Sequence, residues 1–516
     1  MLSTLSLSRR LRAALLAAAS ATLVAATLPP PEPLGIGDPL FPYLGNPGYD
    51  VLAYDLALTY GGDHDKPLDA ITRIDARATQ RLDRVNLDFT HGEVRSVEVD
   101  GAAAEFATAG EDLVITPAEE VDEGERMRIT VHHTSDPAGE GGGWVRTTDG
   151  LAMANQADAG HRVFPGNDHP ADKAYFTFRI TVPERLTAVA NGLPVGKTRQ
   201  GAHTTFVYRT QHPMATELAQ VSIGDSAVLR REGPGGLPVR DVVPAADRDV
   251  LEPWLRKTPD QIRWMEQQVG AYPFETYGLL IAGADTGFEL ETQTLSLFER
   301  SLFTGSAFSE WYVDSVMVHE LAHQWFGDSV SPHTWSDLWL NEGHATWYEA
   351  RYAQEHGGKA LETRMRDAYR RSDGWRAAGG PPAAPKPPTP GDQISLFRPV
   401  VYDGSALVLY ALRQEIGEDA FGRLERDWVR LHRDATATTA DFTELASGVA
   451  GRDLSAFFMA WLYGRTTPPM PGHADWRSDP PTAGKTRETG VTAGRNRATI
   501  DESATRPGIN PGRHAL

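Results

Sequence analysis

The sequence predicts a multidomain α+β protein in which a largely antiparallel β domain precedes a mainly helical domain. From about residue 48 to 230, hydrophobic residues alternate with smaller or polar ones, which is the period of half-buried strands. From about residue 250 the period changes to that of helices. The length of 516 residues also exceeds that of a single hydrophobic core, so two or three domains are expected.

The first 26 residues have the layout of a secretory signal peptide. Arginines within residues 9–12 precede an apolar run over residues 13–28, and residues 24–26 offer small side chains for cleavage. The paired arginines are also compatible with twin-arginine export. An uncleaved membrane anchor is the alternative, but the apolar run is short for a membrane span. We therefore expect a secreted or extracytoplasmic protein, with residues 27–47 as a linker and with no stable membrane insertion after signal removal.

Residues 48–235 are expected to form the β domain. Tyr54 and Leu56 belong to a run in which apolar residues alternate with smaller or polar ones, as on a strand with one buried face. Turn-forming pairs such as Asn191-Gly192 separate these runs, which is typical of antiparallel strands.

Residues 236–470 are expected to form the helical domain, with one short strand at 278–281. A proline-rich loop at 379–391 lies between helical parts, and residues 471–516 are polar and rich in Gly and Pro, which predicts a disordered tail. The helical period is found near residues 250–270, 310–327, 336–356, 403–416 and 418–432.

The composition excludes several classes of function. The net charge of −19 argues against nucleic acid and anionic membrane surfaces as partners. The chain contains no cysteine, so it forms neither disulfides nor thiolate metal sites. Any transition-metal site must therefore use histidine and carboxylate ligands.

The helix predicted at 310–327 contains the sequence HELAH at its centre. His319 and His323 are four residues apart, so on a helix both imidazoles project from one face and can reach the same metal ion. Glu320 points to the side, where it can meet a water molecule rather than the ion. Because this motif also arises by chance, two hydrogen-bonded core histidines are the alternative.

A carboxylate on the following helix favours the metal site. Glu342 lies 19 residues after His323 within an apolar segment, where an unpaired carboxylate would be costly. Two histidines and one glutamate on consecutive helices are the ligand set of a catalytic zinc site with an open fourth position. We therefore predict one Zn²⁺ per chain, bound by His319, His323 and Glu342. His344, nearly opposite Glu342 on its helix, is expected to be a packing or surface residue.

The segments HELAHQWFGDSV and DLWLNEGHAT, with their spacing, resemble the gluzincin zinc aminopeptidases, the family of aminopeptidase N and leukotriene-A hydrolase. The resemblance covers about residues 48–470 and suggests a compact, exported, bacterial-type member. It implies a saddle-shaped antiparallel β domain followed by a thermolysin-like catalytic domain and a short helical part. It also implies that the protein removes N-terminal residues from peptides.

The same resemblance implies further site residues. The segment ANQADAGHRVFPGNDHPADKAYFTF matches the part of the β domain that reaches into the active site, and puts Gln156 and Asp158 on substrate-binding positions. TGFELETQT takes the place of the exopeptidase motif G-x-M-E-N and puts Glu291 on its amine-binding glutamate, with Glu289 as a second possible amine ligand. VVYDGSALVLYALR nominates Tyr402 as the oxyanion tyrosine. Without the resemblance, these would be ordinary turn, strand-surface and core residues.

Two departures from the family pattern affect these expectations. Phe288 and Thr292 replace the glycine and asparagine of the exopeptidase motif, which alters the backbone contacts expected for substrate. The sequence also ends soon after residue 470, so we expect a more open cleft than in relatives with a large C-terminal helical domain. Glu349, seven residues after Glu342 on the same helix face, is placed to orient a ligand histidine.

The residues together predict an exported zinc aminopeptidase that acts on peptides with a free N-terminus. Zinc would activate water and polarise the scissile carbonyl, Glu320 would transfer the proton, and Tyr402 would help to stabilise the oxyanion. Glu291, with Asp158 or Glu289, would hold the substrate's α-ammonium. A zinc endopeptidase with the same metal site and a non-catalytic peptide-binding protein on a peptidase fold are the alternatives.

Overall fold

The computed structural model describes residues 30–139, 141–284 and 286–481. The predicted signal peptide lies outside the described residues, as does the predicted tail from residue 482 onward. Among the residues that the structure describes, no helix has the length and apolar character needed to cross a membrane.

The described part of the chain contains twenty β-strands, most of them in the N-terminal half. They are β1 Tyr49–Thr59, β2 Leu68–Ala78, β3 Val85–Asp88, β4 Val94–Val99, β5 Ala102–Ala109, β6 Asp112–Thr116, β7 Arg126–Ser135, β8 Gly143–Arg146, β9 Leu151–Ala154, β10 Tyr175–Pro183, β11 Thr187–Ala190, β12 Leu193–Gln200, β13 His203–Arg209, β14 Val221–Gly224, β15 Ser226–Glu232, β16 Pro238–Pro244, β17 Leu279–Ala282, β18 Ser296–Glu299, β19 Val330–Pro332 and β20 Ala435–Ala437.

These strands form a largely antiparallel β domain, which confirms the predicted fold class. A ten-stranded sheet has the order β12-β13-β10-β1-β2-β7-β4-β5-β6-β3, and its one parallel pair is β1 with β10. A four-stranded sheet, β11-β14-β9-β8, lies beside it. On β1, Tyr54, Leu56 and Leu58 are buried on one face, so the alternation seen in the sequence follows the core side of the sheet.

The helical domain includes strands of a mixed four-stranded sheet, β15-β16-β17-β18, whose last two strands follow its first two helices in the chain. Its helices are α1 Arg248–Leu255, α2 Thr258–Val269, α3 Arg300–Thr304, α4 Glu310–Ala322, α5 Leu338–Glu355, α6 Leu361–Gly379, α7 Asp403–Ile416, α8 Glu418–Leu431, α9 Thr439–Ala450 and α10 Ser455–Tyr463.

Helices α4 and α5 are at the centre of this domain. Every residue of α4 from Val313 to Ala322 is buried, because other elements cover the helix on all sides. Helix α5 is buried along most of its length and packs against both α4 and α7. Their polar side chains are therefore removed from water, and each needs a partner inside the protein.

Residues 34–46, which we name the strap, lie within the segment predicted to be a linker, and this prediction is wrong for them. Asp38 accepts hydrogen bonds from the backbone N–H of Phe41 at 3.0 Å and of Trp335 at 2.8 Å. The Phe41 ring lies edge-on to Trp335, with 5.4 Å between ring centroids. The strap thus packs against the helical domain, and its Asn46 N–H donates to Asn167 of the β domain at 2.6 Å. These buried contacts fix a segment whose Pro- and Gly-rich composition resembles a linker.

The predicted tail starts too early in the sequence. Trp476 is buried, and its ring stacks on Tyr410 with 5.8 Å between centroids. The backbone N–H of Asp479 donates to the carbonyl of Arg370 on α6 at 2.7 Å. An aromatic side chain and a backbone hydrogen bond therefore hold residues 471–479 on the helical domain, although the surrounding composition is that of a disordered segment.

Candidate active site

The centre of the site is built from α4 and α5. His319 lies on the last turn of α4, and His323 follows at its C-terminal end, so the two rings lie with centroids 4.8 Å apart. From α5, the Oε2 atom of Glu342 lies 3.3 Å from Nε2 of His319 and 3.5 Å from Nε2 of His323. All three side chains are buried. The structure thus brings together the three residues that the sequence nominates as metal ligands.

The other nitrogen of each histidine is held by a hydrogen-bond acceptor. His319 donates from Nδ1 to Oε2 of Glu349 at 2.9 Å, which is the contact that the sequence suggested for Glu349. His323 donates from Nδ1 to the side-chain oxygen of Asn341 and to the Phe326 carbonyl. With Nδ1 protonated, each Nε2 keeps its lone pair and directs it toward Glu342.

These donor atoms fit a zinc ion. Ligand atoms that each lie about 2.0–2.1 Å from a tetrahedral zinc are separated from one another by about 3.4 Å. The two nitrogen–oxygen distances of 3.3 and 3.5 Å match that separation, and all three ligand atoms lie within 4.8 Å of one another. Two neutral imidazoles and one carboxylate are also the donor set typical of catalytic zinc.

Glu320 lies beside the proposed ligands rather than among them. Its carboxylate is buried, and it forms a second close group with Glu291 and His323, whose ligand-type atoms also lie within 4.8 Å of one another. Glu320 therefore faces the space between His323 and Glu291. That position suits a proton acceptor between the metal site and a bound substrate.

Glu291 is held by one residue from each domain. Its Oε1 atom accepts hydrogen bonds from Nε2 of Gln156 at 2.8 Å and from Nδ2 of Asn341 at 3.0 Å. Burial acts to raise the pKa of Glu291, but His323 and these hydrogen bonds outweigh it and hold the pKa below its ordinary value. The loop after β9 thus reaches into the site through Gln156. Together with Asn341 on α5, it holds the buried carboxylate of Glu291.

The other two acids nominated from the sequence lie in different surroundings. Glu289 is only half-buried, whereas Glu291 two residues later is buried. Asp158 is buried and bound on Oδ2 by the Tyr43 hydroxyl at 2.9 Å, with Arg162 at 3.5 Å. Burial raises the pKa of Asp158 to about 6. Asp158 is therefore bound to the strap. Of the three acids, Glu291 has the contacts with the centre of the site and is the best placed to bind a substrate's ammonium group.

Tyr402 lies on the opposite border of the site. It directly precedes α7 and is half-buried, and its ring centroid lies 6.0 Å from that of His319. Its side chain therefore approaches the metal site from a third helix. The structure thus places the Tyr402 ring beside His319, one of the three candidate metal ligands.

Asn341 is a site residue that the sequence reasoning did not single out. Its Oδ1 accepts from His323 while its Nδ2 donates to Glu291, so one amide joins a metal ligand to a substrate-binding candidate. The signal in the sequence was a polar residue next to Glu342 in an apolar helix.

Two glycines permit the close packing on which this arrangement depends. At Gly327, where φ is +129°, an added Cβ would lie 2.2 Å from Oδ1 of Asn341. At Gly343 an added Cβ would lie 2.7 Å from the Ser405 side chain, where α5 meets α7. A larger residue at either position would displace the neighbours of the metal ligands.

Comparison with known proteins agrees with this geometry. Residues 255–461 match the model of the peptidase family M1 domain, and residues 53–218 match that of the peptidase M1 N-terminal domain. Among similar sequences, aminopeptidase 2 of Candida albicans is 22% identical over 75% of this chain and 44% of its own length. Probable aminopeptidase 1 of Saccharolobus solfataricus is 24% identical over 79% of this chain and 52% of its own length. The chain spans about half the length of these relatives.

A solved structure of similar size shows a similar fold. The M1 zinc metallopeptidase from Deinococcus radiodurans has a TM-score of 0.72 and 26% sequence identity, and the match covers 85% of this chain and 98% of that chain. A mutant of the Deinococcus radiodurans enzyme, bound to a Tyr-Ser-Ala substrate, matches with a TM-score of 0.71.

Proposed function

Because the chain belongs to peptidase family M1, we propose that it is an exported zinc aminopeptidase that removes the first residue from peptides with a free N-terminus. One observation carries this proposal. Beside a His319–His323–Glu342 group that fits zinc, the buried carboxylate of Glu291 is fixed by hydrogen bonds from both domains. This arrangement supports a metal site with an ammonium site next to it, as an exopeptidase requires.

One zinc ion per chain would be held by His319, His323 and Glu342. When bound, zinc supplies a Lewis acid that polarises a peptide carbonyl and lowers the pKa of water toward neutrality. Glu349 and Asn341 hold the two imidazoles with Nε2 unprotonated, so the ligands need no rearrangement before they bind the ion.

The chemical step would use Glu320 and Tyr402. The Glu320 carboxylate accepts a proton from the attacking water and passes it to the amine of the departing peptide. The Tyr402 hydroxyl donates a hydrogen bond to the oxygen that becomes negative when the carbonyl is attacked. Both side chains border the metal site in the structure, which supports these roles.

Glu291 would decide where the chain is cut. A charged α-ammonium in a buried cleft needs a carboxylate partner, since an unpaired buried charge is strongly unfavourable. Gln156 and Asn341 both donate to Oε1 of Glu291, which favours its ionised form, so it can pair with the ammonium. An ammonium held by Glu291, close to His323 and Glu320, would bring the first peptide bond to the metal site.

Turnover of blocked and unblocked substrates tests this proposal. The purified protein should release fluorophore from aminoacyl amides and leave their N-acetylated forms uncleaved, because acetylation removes the charge that Glu291 binds. Glu291→Ala should lower kcat/KM for the free amine by about 2–5 kcal/mol of transition-state stabilisation. Glu289→Ala should cause a smaller loss, since Glu289 is less buried. Efficient cleavage within N-blocked peptides would replace the aminopeptidase proposal with a zinc endopeptidase.

The support for export is the pattern of residues 1–26, a basic segment followed by an apolar run and small residues. Expression of the full chain in a bacterium with an intact export system, followed by fractionation and N-terminal sequencing, tests it. Mature protein outside the cytoplasm that starts near residue 27 is the expected result. Full-length protein retained in the cytoplasm would exclude export.

A further inference from the structure

The carboxylate that orients His319 is itself held by a buried arginine. Glu349 uses Oε2 to accept from His319, and its other oxygen, Oε1, accepts from Nη1 of Arg364 at 2.9 Å. The Glu349 side chain is 8% exposed and that of Arg364 is 13% exposed. Water therefore cannot readily replace either partner, and the Glu349 carboxylate is fixed between Arg364 on one oxygen and His319 on the other.

The same guanidinium contacts a second helix near the site. Its Nε donates to Oδ1 of Asp403 at 3.0 Å, and Asp403 is the first residue of α7. Burial acts to lower the pKa of Arg364, but Glu349 and Asp403 outweigh it and raise the pKa, so the guanidinium stays charged. One side chain from α6 thus binds carboxylates on both α5 and α7.

Asp403 fixes the backbone from which the Tyr402 side chain emerges. Tyr402 precedes it directly, and the Tyr402 carbonyl accepts hydrogen bonds from the N–H groups of Ser405 and Ala406 in the first turn of α7. Anchoring Asp403 therefore sets the position of that turn and of the Tyr402 ring beside His319.

We propose that Arg364 is a positioning residue that couples a metal ligand, His319, to the oxyanion donor, Tyr402, by bridging Glu349 and Asp403. This inference rests on the proposed function for its catalytic half, whereas its metal-binding half rests on the ligand geometry alone. Arginine suits the task because its planar fork reaches two carboxylates at once, which the single ammonium of lysine does not reproduce.

Arg364→Lys keeps the charge and removes the fork. It should weaken zinc binding about tenfold, measured by competition with a chelator in the absence of substrate. In zinc-saturated protein, kcat should fall about tenfold with a much smaller change in KM, since the lost contacts position groups used in the transition state.

Arg376→Lys is the matched control. Arg376 is a second buried arginine on α6, but it donates to the backbone carbonyls of Gly464 and Trp461, away from the site. The Arg376→Lys variant should lower the midpoint of thermal unfolding while leaving the zinc affinity and kcat of the folded protein unchanged. If Arg364→Lys behaves in the same way, Arg364 is an ion pair of the helix packing and the proposal is overturned.

Two milder variants test the Arg364–Glu349 contact and the Arg364–Asp403 contact separately. They also cover the case in which Arg364→Lys does not fold. Glu349→Gln should act mainly on zinc affinity, and Asp403→Asn mainly on kcat, with unchanged zinc affinity. Equal effects of both variants on stability alone would contradict the coupling. If the wild-type protein binds zinc but cleaves no aminoacyl amide, the proposed function fails, and the zinc-affinity comparison still decides whether Arg364 acts through Glu349.

Discussion

Both domains bury a histidine among carboxylates, yet the two clusters differ in how the ring nitrogens are used. In the β domain, Nδ1 of His161 lies 2.7 Å from Asp168 and Nε2 lies 3.7 Å from Glu111, so both nitrogens face acids. Burial acts to lower the pKa of His161, but Asp168 and Glu111 outweigh it and raise the pKa to about 10. The ring is a cation paired with the buried acid Asp168 and with Glu111, whose side chain is half exposed.

In the helical domain, Nδ1 of His319 and Nδ1 of His323 each donate to an acceptor, and the Nε2 atoms of the two rings converge on one oxygen of Glu342, at 3.3 and 3.5 Å. The difference shows that burying histidine beside acids does not by itself make a metal site. Two lone pairs must be directed at one point, and the four-residue spacing on α4 together with Glu349 and Asn341 does this.

The largest expected effect comes from removing one histidine of each cluster. His323→Ala should abolish tight zinc binding and turnover together, because it deletes a ligand. His161→Ala should destabilise the fold by about 3–5 kcal/mol, since it leaves buried acids unpaired, while the folded protein keeps its zinc. Metal analysis and denaturant unfolding of both variants make the comparison. Loss of zinc from folded His161→Ala would show that the two clusters are not independent.

A smaller but still large loss is expected from Glu320→Gln. The variant should keep its zinc because the three ligands remain, and kcat should fall by about 10²–10⁴-fold because the proton acceptor is gone. Steady-state kinetics with zinc-saturated protein measures the loss. Near-normal turnover would remove Glu320 from the mechanism and leave it as a structural acid like those around His161.

Tyr402→Phe tests whether the Tyr402 hydroxyl, beside the metal site, takes part in the reaction. It deletes one hydroxyl with little change in volume, so kcat should fall about a hundredfold with KM changed much less. Zinc content should be unchanged. An unaltered kcat would identify Tyr402 as a packing residue.

The last expected effect is the pH dependence of the stability that His161 provides. The pKa of His161 is about 10 in the folded protein against an ordinary value of 6.5, so its contribution to stability is fully present below pH 6.5 and is lost as the pH rises toward 10. The difference in unfolding free energy between wild type and His161→Gln should therefore shrink between pH 6.5 and 10. A constant difference over that range would contradict a charged His161.

Local sequence patterns predicted the fold class and identified the three residues at the centre of the site. The periods of two and 3.6 indicated which half would be strands and which helices, because each element buries one face or its whole surface. His319, His323 and Glu342 were nominated because their spacing is set within two consecutive helices. Their catalytic and ligand roles remain predictions, as do those of Glu320 and Tyr402.

The contacts that sequence reasoning missed join residues far apart in the chain. Arg364 meets Asp403 across 39 positions, and Tyr43 meets Asp158 across 115. The hydrophobic periodicity of a sequence does not reveal such pairs, because they depend on how whole helices and loops pack against one another. Composition also gave wrong boundaries for the predicted linker and the predicted tail. In both segments a few buried side chains, such as Phe41 and Trp476, outweigh many polar neighbours.

The strap has a consequence for the order in which the chain folds. Asp38 accepts from the Trp335 backbone across 297 positions, and Leu40, Phe41 and Leu44 share a buried cluster with Val400 and Val401. During synthesis the strap emerges before almost all of its partners, and closing so long a loop is slow compared with forming local helices and hairpins. Its docking on the helical domain must therefore wait until that domain has been made. The strap is thus synthesised before the surface that fixes it, and its contacts with Trp335, Val400 and Val401 form late.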